Sequence, residues 1–423
     1  MLCGGASMRL ELWWSEVAAV SAGTETRLSD RRLAVGLDGL TATLAADPRL
    51  DRVRIDLAHP GESCRIGRVF DVFAPRAKEE GGADFPGALG PLGRAGQGRT
   101  RALAGVAVVV TDQQLADPAT LAVIDMSGPV ATLSAFARTA NVVISAWPAA
   151  SVGRSEYLAA LRQAGLRAAV HLAQAARAAP PDTLEVFDLP APTRVPAALA
   201  GVPRVVYVFQ IHSHQRPTAA DEGVLYGDPV RRMLPTLVHP NEILDGAVIR
   251  GFMGRGVTTW ATQNHPVIRE LYARHGRTLW FAGVVLTVAH ATEPERIRSA
   301  AMAAGLVVDV LGADGAVFTK IGGGAPHVDM AQTAAQCEAR GVKTALIVED
   351  MSTDGSQEGM LLFNFPGLDA LVNTGSAQER VTLPPVERVI GAEGPAGEAT
   401  VSYGQICGAI EQVGATCLTS RLQ

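Results

Sequence analysis

The sequence lacks the patterns that mark several large classes of protein. It has no basic run and no interleaving of basic with aromatic residues, and its formal net charge is −5, so nucleic acid is not an expected partner. Its five cysteines are scattered and form no C-x-x-C pair, which predicts reduced thiols and a cytoplasmic location. Its longest apolar stretches are strand-sized, well short of the ~20 residues that a membrane span requires, so we expect no membrane insertion.

The N-terminus also lacks the pattern of a secretory signal peptide. Residues 1–14, MLCGGASMRLELWW, contain neither a basic segment nor an adequate apolar segment. We interpret Met8 as the native start and residues 1–7 as an N-terminal extension. No internal repeat or low-complexity tract is present.

The remaining pattern predicts an α/β protein of more than one domain. The chain has 423 residues, of which 48% are hydrophobic, and residues 8–175 mix short strands and helices in a smaller α+β domain. Residues 176–203 carry six prolines, which is typical of an extended linker. Residues 204–423 alternate apolar strands with helices, which predicts a doubly wound, mostly parallel sheet with helices on both faces.

Candidate site residues follow the strands of this predicted sheet. His212 and His214 end the run RVVYVFQI, and Glu349 and Asp350 end KTALIVED. Ligands of such sheets bind beyond the carboxyl ends of the strands, so we expect the site at this edge.

The histidines have two interpretations. His212 and His214 point to the same side because side chains alternate along a strand. With His239 and the nearby carboxylate of Glu242 they could bind a divalent metal such as zinc or iron. Alternatively they are hydrogen-bonded histidines that transfer protons, a role for which His265 is a further candidate. His171, among apolar residues of a predicted helix, is interpreted as a core or edge histidine.

Two glycine-rich loops are candidates for substrate binding. Gly322, Gly323 and Gly324 lead into a helix, whose N-terminus favours a carboxylate or phosphate, although the motif is neither a P-loop nor G-x-G-x-x-G. The alternative is a packing turn in which Pro326 opens the helix. In residues 251–266, Arg255 could pair with a substrate carboxylate or remain solvated, and Asn264 is a second candidate.

A series of colinear blocks from about Met8 to Gly391 resembles a known family. The family is the component B pro-protein of the glycine, sarcosine and betaine reductases, to which a subunit of D-proline reductase is related. The blocks are DLAHPGESCRI, DVFAPRAK, DFPG, IDMSGP, NVVISAWP, PTLVHPNEILDGAVIRG, QNHPVI, ELYARHG, GVVLT, LGADGA, TALIVED, LVNTG and LPPVERVIG.

The resemblance implies an unusual covalent cofactor. In the family the pro-protein is cut, and a cysteine at the new N-terminus becomes a pyruvoyl-type carbonyl. That carbonyl forms a Schiff base with an amino substrate, and a thiol or selenol of a partner subunit displaces the amine.

This chain departs from the family at the processing position. Phe252 and Met253 stand where the cysteine is expected, and methionine offers neither a nucleophile nor a β leaving group. The sequence therefore argues against a pyruvoyl group, and Thr258 or Thr259 would be the only nearby hydroxyls able to attack in its place. The family has glutamine where this chain has His212 and His214, which suggests a replacement cofactor such as a Lewis-acid metal.

The sequence thus predicts a component-B-like oxidoreductase subunit. It would bind a small amino or ammonium acid and work in a homo- or hetero-oligomer with a thiol- or selenol-bearing partner. One alternative is a metal-dependent hydrolase or lyase on the same scaffold, with His212, His214 and His239 as metal ligands. A second is a non-catalytic assembly subunit.

Overall fold

The computed structural model describes residues 7–114, 122–191, 201–213, 224–250, 257–322, 324–350, 368–391, 396–410 and 412–413. Within these ranges the strands are β1 (Met8–Glu16), β2 (Ala19–Gly23), β3 (Arg27–Ser29), β4 (Arg32–Gly36), β5 (Leu50–Ala58), β6 (Cys64–Ile66), β7 (Val69–Phe73), β8 (Arg76–Glu80), β9 (Gly98–Ala104), β10 (Val106–Asp112), β11 (Ile124–Asp125), β12 (Ala140–Pro148), β13 (Thr183–Leu189), β14 (Arg204–Ser213), β15 (Val224–Leu225), β16 (Asp228–Pro229), β17 (Thr236–Val238), β18 (Val248–Ile249), β19 (Trp280–Ala289), β20 (Gly315–Thr319), β21 (Lys343–Asp350), β22 (Ala370–Ser376), β23 (Arg380–Leu383), β24 (Arg388–Ile390) and β25 (Ala399–Ser402).

The α-helices of the same ranges are α1 (Leu37–Ala45), α2 (Arg154–Gln174), α3 (Pro240–Leu244), α4 (Thr259–Gln263), α5 (Pro266–Arg274), α6 (Glu293–Gly305) and α7 (Ala325–Glu338). No helix in the described part of the chain is both long enough and apolar enough to cross a membrane.

The largest sheet has six strands in the order β17-β19-β14-β20-β21-β22. Strand β17 is antiparallel to β19, and every other neighbouring pair is parallel. The predicted α/β class with a mostly parallel C-terminal sheet is therefore confirmed. The five parallel strands follow the order 2-1-3-4-5, which is one of the two common doubly wound orders.

One face of this sheet is covered by helices α6 and α7. Val206, Val208 and Phe318 of the sheet share a buried cluster with Ala303 of α6 and Met330 of α7. The strands are mainly apolar because both of their faces are buried, and all ten residues of β19 are buried.

The opposite face is covered by strands as well as helices. Tyr207 and Phe209 share a second core with Ile268 of α5, but also with Leu10 of β1 and Phe187 of β13. The predicted helices on both faces are thus supplemented by strands from the first half of the chain. That contribution was not foreseen because β13 lies in the proline-rich segment.

Residues 183–189 form β13 where the sequence predicted an extended linker. The strand pairs with β1 in antiparallel register, and its Phe187 and Leu189 are buried. Prolines flank this stretch without interrupting it, which is why a strand forms between them. The predicted domain boundaries themselves stay a prediction, and residues 1–6 and 192–200 lie outside the described residues.

Two four-stranded sheets organise the first half, in the orders β13-β1-β9-β8 and β5-β12-β10-β7. Helix α2 packs on the second sheet at very short range. A Cβ at Gly165 of this helix would lie 2.3 Å from the ring of Phe73, so only glycine allows that approach. His171, on the same helix, bonds through Nε2 to the Thr26 hydroxyl at 2.8 Å, which fits its interpretation as a core or edge residue.

A buried ion pair joins this half to the C-terminal strands. Arg65 bonds both oxygens of Asp125 at 2.6 and 3.0 Å and also donates to the carbonyls of Pro384 and Gly397. Strand β6, which contains Arg65, pairs with both β11 and β24.

Asp125→Ala is expected to lower the free energy of unfolding by about 3–5 kcal/mol, because it leaves the Arg65 charge buried without its partner. The matched control is Glu270→Ala, which breaks the exposed Arg274–Glu270 pair of α5 and should cost less than about 1 kcal/mol. Urea unfolding of both variants measures the difference. Equal losses in the two variants would contradict a structural role for the buried pair.

Candidate functional site

The carboxyl edge of the parallel sheet brings two predicted site segments together. In the 2-1-3-4-5 order, ligands bind where the chain switches direction between the first and third strands, here β14 and β20. His212 and Ser213 end β14, and Lys320 to Gly322 follow β20. A Cβ at Gly322 would lie 3.8 Å from the Cβ of Ser213, so the two strand ends are in contact.

Lys320 is the most unusual residue at this edge. Its side chain is fully buried, and its Nζ donates to the carbonyl of Gly322 at 2.7 Å. Burial lowers its pKa to about 8, while the nearby Glu349 carboxylate acts in the opposite direction. No acidic side chain of the described residues lies within ion-pair distance of this amine.

Glu349 is held at the end of β21 by the side chain of Gln412. The Gln412 Nε2 donates to Glu349 Oε2 at 2.7 Å, and the Gln412 Oε1 accepts from the backbone N–H of Gly322 at 2.6 Å. The second carboxylate oxygen, Oε1, is buried and has no hydrogen-bond partner among the described residues.

His327 and Gln210 complete the cluster. His327 lies in the first turn of α7, is 3% exposed, and has no partner in the described structure for either ring nitrogen. Burial, assisted by the positive charge of Lys320, lowers its pKa to about 2, so its ring is neutral. Gln210 donates to the Pro326 carbonyl at 3.4 Å, while its Oε1 is buried and unpartnered.

We call Gln210, Lys320, His327, Glu349 and Gln412 the switch-point cluster. Buried polar atoms are nearly always hydrogen-bonded in folded proteins, so a group of unpartnered atoms in one place indicates a site that takes up water or a ligand.

His212 ends β14 at the same edge of the sheet, and one of its two ring nitrogens is already hydrogen-bonded. Its Nδ1 accepts a hydrogen bond from Arg250 at 3.3 Å, and Arg250 also donates to the carbonyl of Ile211. A guanidinium at this position repels a cation, and it leaves only Nε2 for another partner.

His239 and Glu242 serve local structure. They form a capping box at the start of α3, in which Glu242 accepts from the His239 backbone N–H at 2.6 Å. The His239 Nδ1 accepts from Asn241 N at 3.2 Å and its Nε2 lies 3.4 Å from the Leu189 carbonyl. Burial lowers the pKa of His239 to about 4. The Tyr226 hydroxyl bonds the remaining Glu242 oxygen at 2.5 Å.

No group of three histidine, cysteine or carboxylate side chains able to hold a metal occurs among the described residues. His214, Arg255 and Gly323, which the sequence proposed for metal or substrate binding, lie outside them. The metal trio of His212, His214 and His239 stays a prediction.

His265 is placed under the sheet. It stacks edge-on against Tyr207 and Phe209, with its Nε2 3.0 Å from the Tyr207 hydroxyl. That hydroxyl lies 2.5 Å from the hydroxyl of Thr319, the residue before Lys320. Burial lowers the pKa of His265 to about 3, so a neutral hydrogen-bond chain leads from His265 through Tyr207 to Thr319.

The other predicted residues take part in local hydrogen bonds. The Thr258 hydroxyl caps α4 by accepting from Ala261 N at 3.1 Å. Asn264 ends the same helix, where it accepts from Arg76 and donates to the Trp260 carbonyl. Two glycines of the predicted loop already have structural roles. The Gly322 N–H donates to Gln412, and Gly324, at φ +79°, caps α7.

Thr259, Arg250 and Asp71 join the two ends of segment 251–256. The Thr259 hydroxyl lies 2.5 Å from the Arg250 carbonyl and 2.6 Å from Asp71 Oδ2, and it accepts from Arg250 N at 2.9 Å. One hydroxyl proton cannot serve two acceptor oxygens. A protonated Asp71 removes the conflict, because it donates to Thr259 while Thr259 donates to the carbonyl. Burial raises the pKa of Asp71 to about 7, which agrees with this arrangement.

Sequence reasoning missed Lys320, His327, Gln412, Arg250 and Asp71. Lys320 had a usable signal, since it is a charged residue directly after the apolar strand AVFT. Gln412 had none, because its partners Gly322 and Glu349 are distant in sequence.

Comparisons with known proteins give one consistent result. Residues 8–418 match the family described as glycine/sarcosine/betaine reductase component B subunits. Glycine reductase complex component B subunits alpha and beta of Acetoanaerobium sticklandii is 31% identical over 389 residues, 91% of this chain and 89% of the relative. Sarcosine reductase complex component B subunit alpha of Peptoclostridium acidaminophilum is 33% identical over 388 residues, with the same two shares. Betaine reductase complex component B subunit alpha of the same organism is 30% identical over 392 residues, 91% of this chain and 88% of the relative. No solved structure matches the chain.

Asp71→Asn is expected to make stability less sensitive to pH. An unfolded aspartate ionises near pH 4, whereas folded Asp71 keeps its proton to about pH 7. The stabilisation is therefore complete below about pH 4 and is lost as the pH rises to about 7. Relative to the asparagine variant, the wild type should lose about 2–3 kcal/mol between about pH 5 and about pH 8. Urea unfolding at both pH values measures this, and parallel pH profiles would show that Asp71 is ionised throughout.

Proposed function

Because the chain belongs to the family of glycine, sarcosine and betaine reductase component B subunits, we propose that it binds and activates a small amino or ammonium acid within a reductase complex. The resemblance predicted from the sequence is confirmed by the match over residues 8–418. The observation that carries the proposal is the switch-point cluster, where a buried amine and a buried carboxylate lie at the ligand-binding edge of a parallel sheet.

The nucleophile comes from a partner subunit in this proposal. Cys64, Cys337 and Cys407, the cysteines within the described residues, are buried and form no disulfide. Burial raises the pKa of both Cys64 and Cys337 to about 12, so neither supplies a thiolate at neutral pH. Among the described cysteines none is placed to attack, which supports an external thiol or selenol that reaches the substrate at the sheet edge.

The proposed step is a substitution at the carbon that bears nitrogen. The partner's thiolate or selenolate forms a bond to this carbon, the C–N bond breaks, and the amine leaves with its electron pair and takes up a proton. This chain holds the acid in place, and His212, at the same edge, handles the proton.

The residues present do not fit the family's cysteine-derived pyruvoyl group, and we assign no step to it. Met253 supplies neither the nucleophile nor the leaving group. The hydroxyls of Thr258 and Thr259 are engaged in the cap of α4 and in the contact with Asp71 and Arg250. The metal-dependent alternative gains no support either, because Arg250 donates to His212 Nδ1.

The purified chain is expected to remain uncut. Its denatured mass should be a single species near 44.2 kDa, since no residue at the processing position can start cleavage. Intact-mass spectrometry measures this directly. Two fragments that part near residues 252–259 would restore a processed carbonyl to the mechanism, and a hydrazine probe would then locate it.

His212→Gln is expected to reduce amine release from glycine or sarcosine by about 10²-fold or more, the usual contribution of a general acid or base. The assay uses the complex that co-purifies with this chain, with dithiothreitol as reductant. The matched control is His171→Gln on α2, which should leave turnover unchanged. Full turnover by the His212 variant would refute the proton-transfer role of this histidine.

A further inference from the structure

The switch-point cluster contains two opposite charges that do not neutralise each other. Lys320 and Glu349 are 0% and 1% exposed, and the charge of Glu349 acts on the Lys320 amine, yet they form no ion pair in the described structure. The lysine ammonium uses one of its three donors, on the Gly322 carbonyl, and Glu349 Oε1 is unpartnered. Each charge therefore retains unused bonding capacity in a buried place.

Gln412 keeps the two charges apart. Its carboxamide bonds Glu349 at one end and the backbone of Gly322 at the other, and Gly322 in turn accepts from Lys320. Glu349 is thus connected to Lys320 through a neutral amide instead of by direct contact. Two buried charges without a direct ion pair are unfavourable, and a ligand with the complementary charges would offset this.

Lys320 differs from the other lysines of the chain in its surroundings. The sequence contains only three lysines, Lys78, Lys320 and Lys343, among 37 basic residues. Lys78 pairs with Asp245 at 2.5 Å, and Lys343 is 80% exposed and pairs with Asp369. Lys320 alone of the three has no acidic partner within the residues that the structure describes. An ammonium is a compact charge that suits a small carboxylate, whereas arginine needs room for its planar fork.

We propose that Lys320 and Glu349 form a clamp for a zwitterionic amino acid that carries at least one N–H, with Lys320 on its carboxylate and Glu349 on its ammonium group. The inference rests on the proposed function for the choice of an amino acid as ligand, and it adds the residues and the selectivity.

The selectivity follows from the unpartnered Glu349 Oε1. A primary or secondary ammonium group donates an N–H to this oxygen, whereas a quaternary ammonium has none and leaves the buried acceptor unpaired. Quaternary ammonium ligands are usually enclosed by the rings of tryptophan, tyrosine or phenylalanine, and none of the five cluster residues is one of these. Glycine and sarcosine are therefore accepted and betaine is rejected.

Isothermal titration of the purified full-length chain at neutral pH tests the selectivity without any variant. Glycine and sarcosine should bind at least about tenfold more tightly than betaine, and also than acetate or methylamine, each of which meets only one charge. Betaine binding as tight as glycine binding, or no binding of glycine at all, would overturn the clamp.

Two substitutions test the residues. Lys320→Met and Glu349→Gln should each weaken glycine binding at least about tenfold, while the matched controls Lys343→Met and Glu270→Gln should leave it unchanged. Thermal unfolding reports whether each variant is folded. If a variant is unfolded, the titration of the wild type with glycine, sarcosine, betaine, acetate and methylamine decides whether the clamp exists. Wild-type affinity in both folded variants would refute the assignment.

Amine release by the co-purified complex separates this inference from the proposed function. Glycine binding that depends on Lys320 and Glu349, without any amine release, would sustain the clamp and refute the reductase role. Amine release with an unchanged KM in both variants would sustain the reductase role and refute the clamp.

Discussion

Burial of the parallel sheet on both faces is the constraint from which the site follows. Strands such as β19, with every residue buried, have no position along their length where a charged side chain can meet water. Polar chemistry is therefore confined to the strand ends, and the 2-1-3-4-5 order opens a crevice at one of them. The switch-point cluster, His212 and the hydrogen-bond chain from His265 all converge there because the rest of the sheet excludes them.

The residues on either side of segment 251–256 lie at this same edge. Arg250 precedes segment 251–256 and donates to Ile211 and His212 at the end of β14. Thr259 follows the segment and bonds both Arg250 and Asp71. Arg250 and Thr259 are thus hydrogen-bonded to each other beside the strand that carries His212.

The sequence predicted the parallel sheet because long-range burial leaves a local pattern of apolar runs, and the location of the site at its carboxyl edge stays a prediction. Single residues were harder to assign. His239 and Glu242 were interpreted as possible ligands, but their spacing of three is also that of a capping box, and the structure uses it in that way. Lys320 and Gln412 act through contacts between distant segments, which no periodicity reveals. Strand β13 was hidden by flanking prolines and recognised only through its pairing with β1.

Charge balance explains why a zwitterion suits the cluster better than a simple ion. Burial keeps His327 and His265 neutral, so Lys320 and Glu349 carry the charges there. The charges of these two side chains sum to zero. An added monovalent anion would compensate Lys320 but leave the buried Glu349 carboxylate unmatched, and a cation would do the reverse. A ligand with both charges compensates both ends and leaves the net charge of the buried site unchanged, which is the condition under which burial of ions costs least.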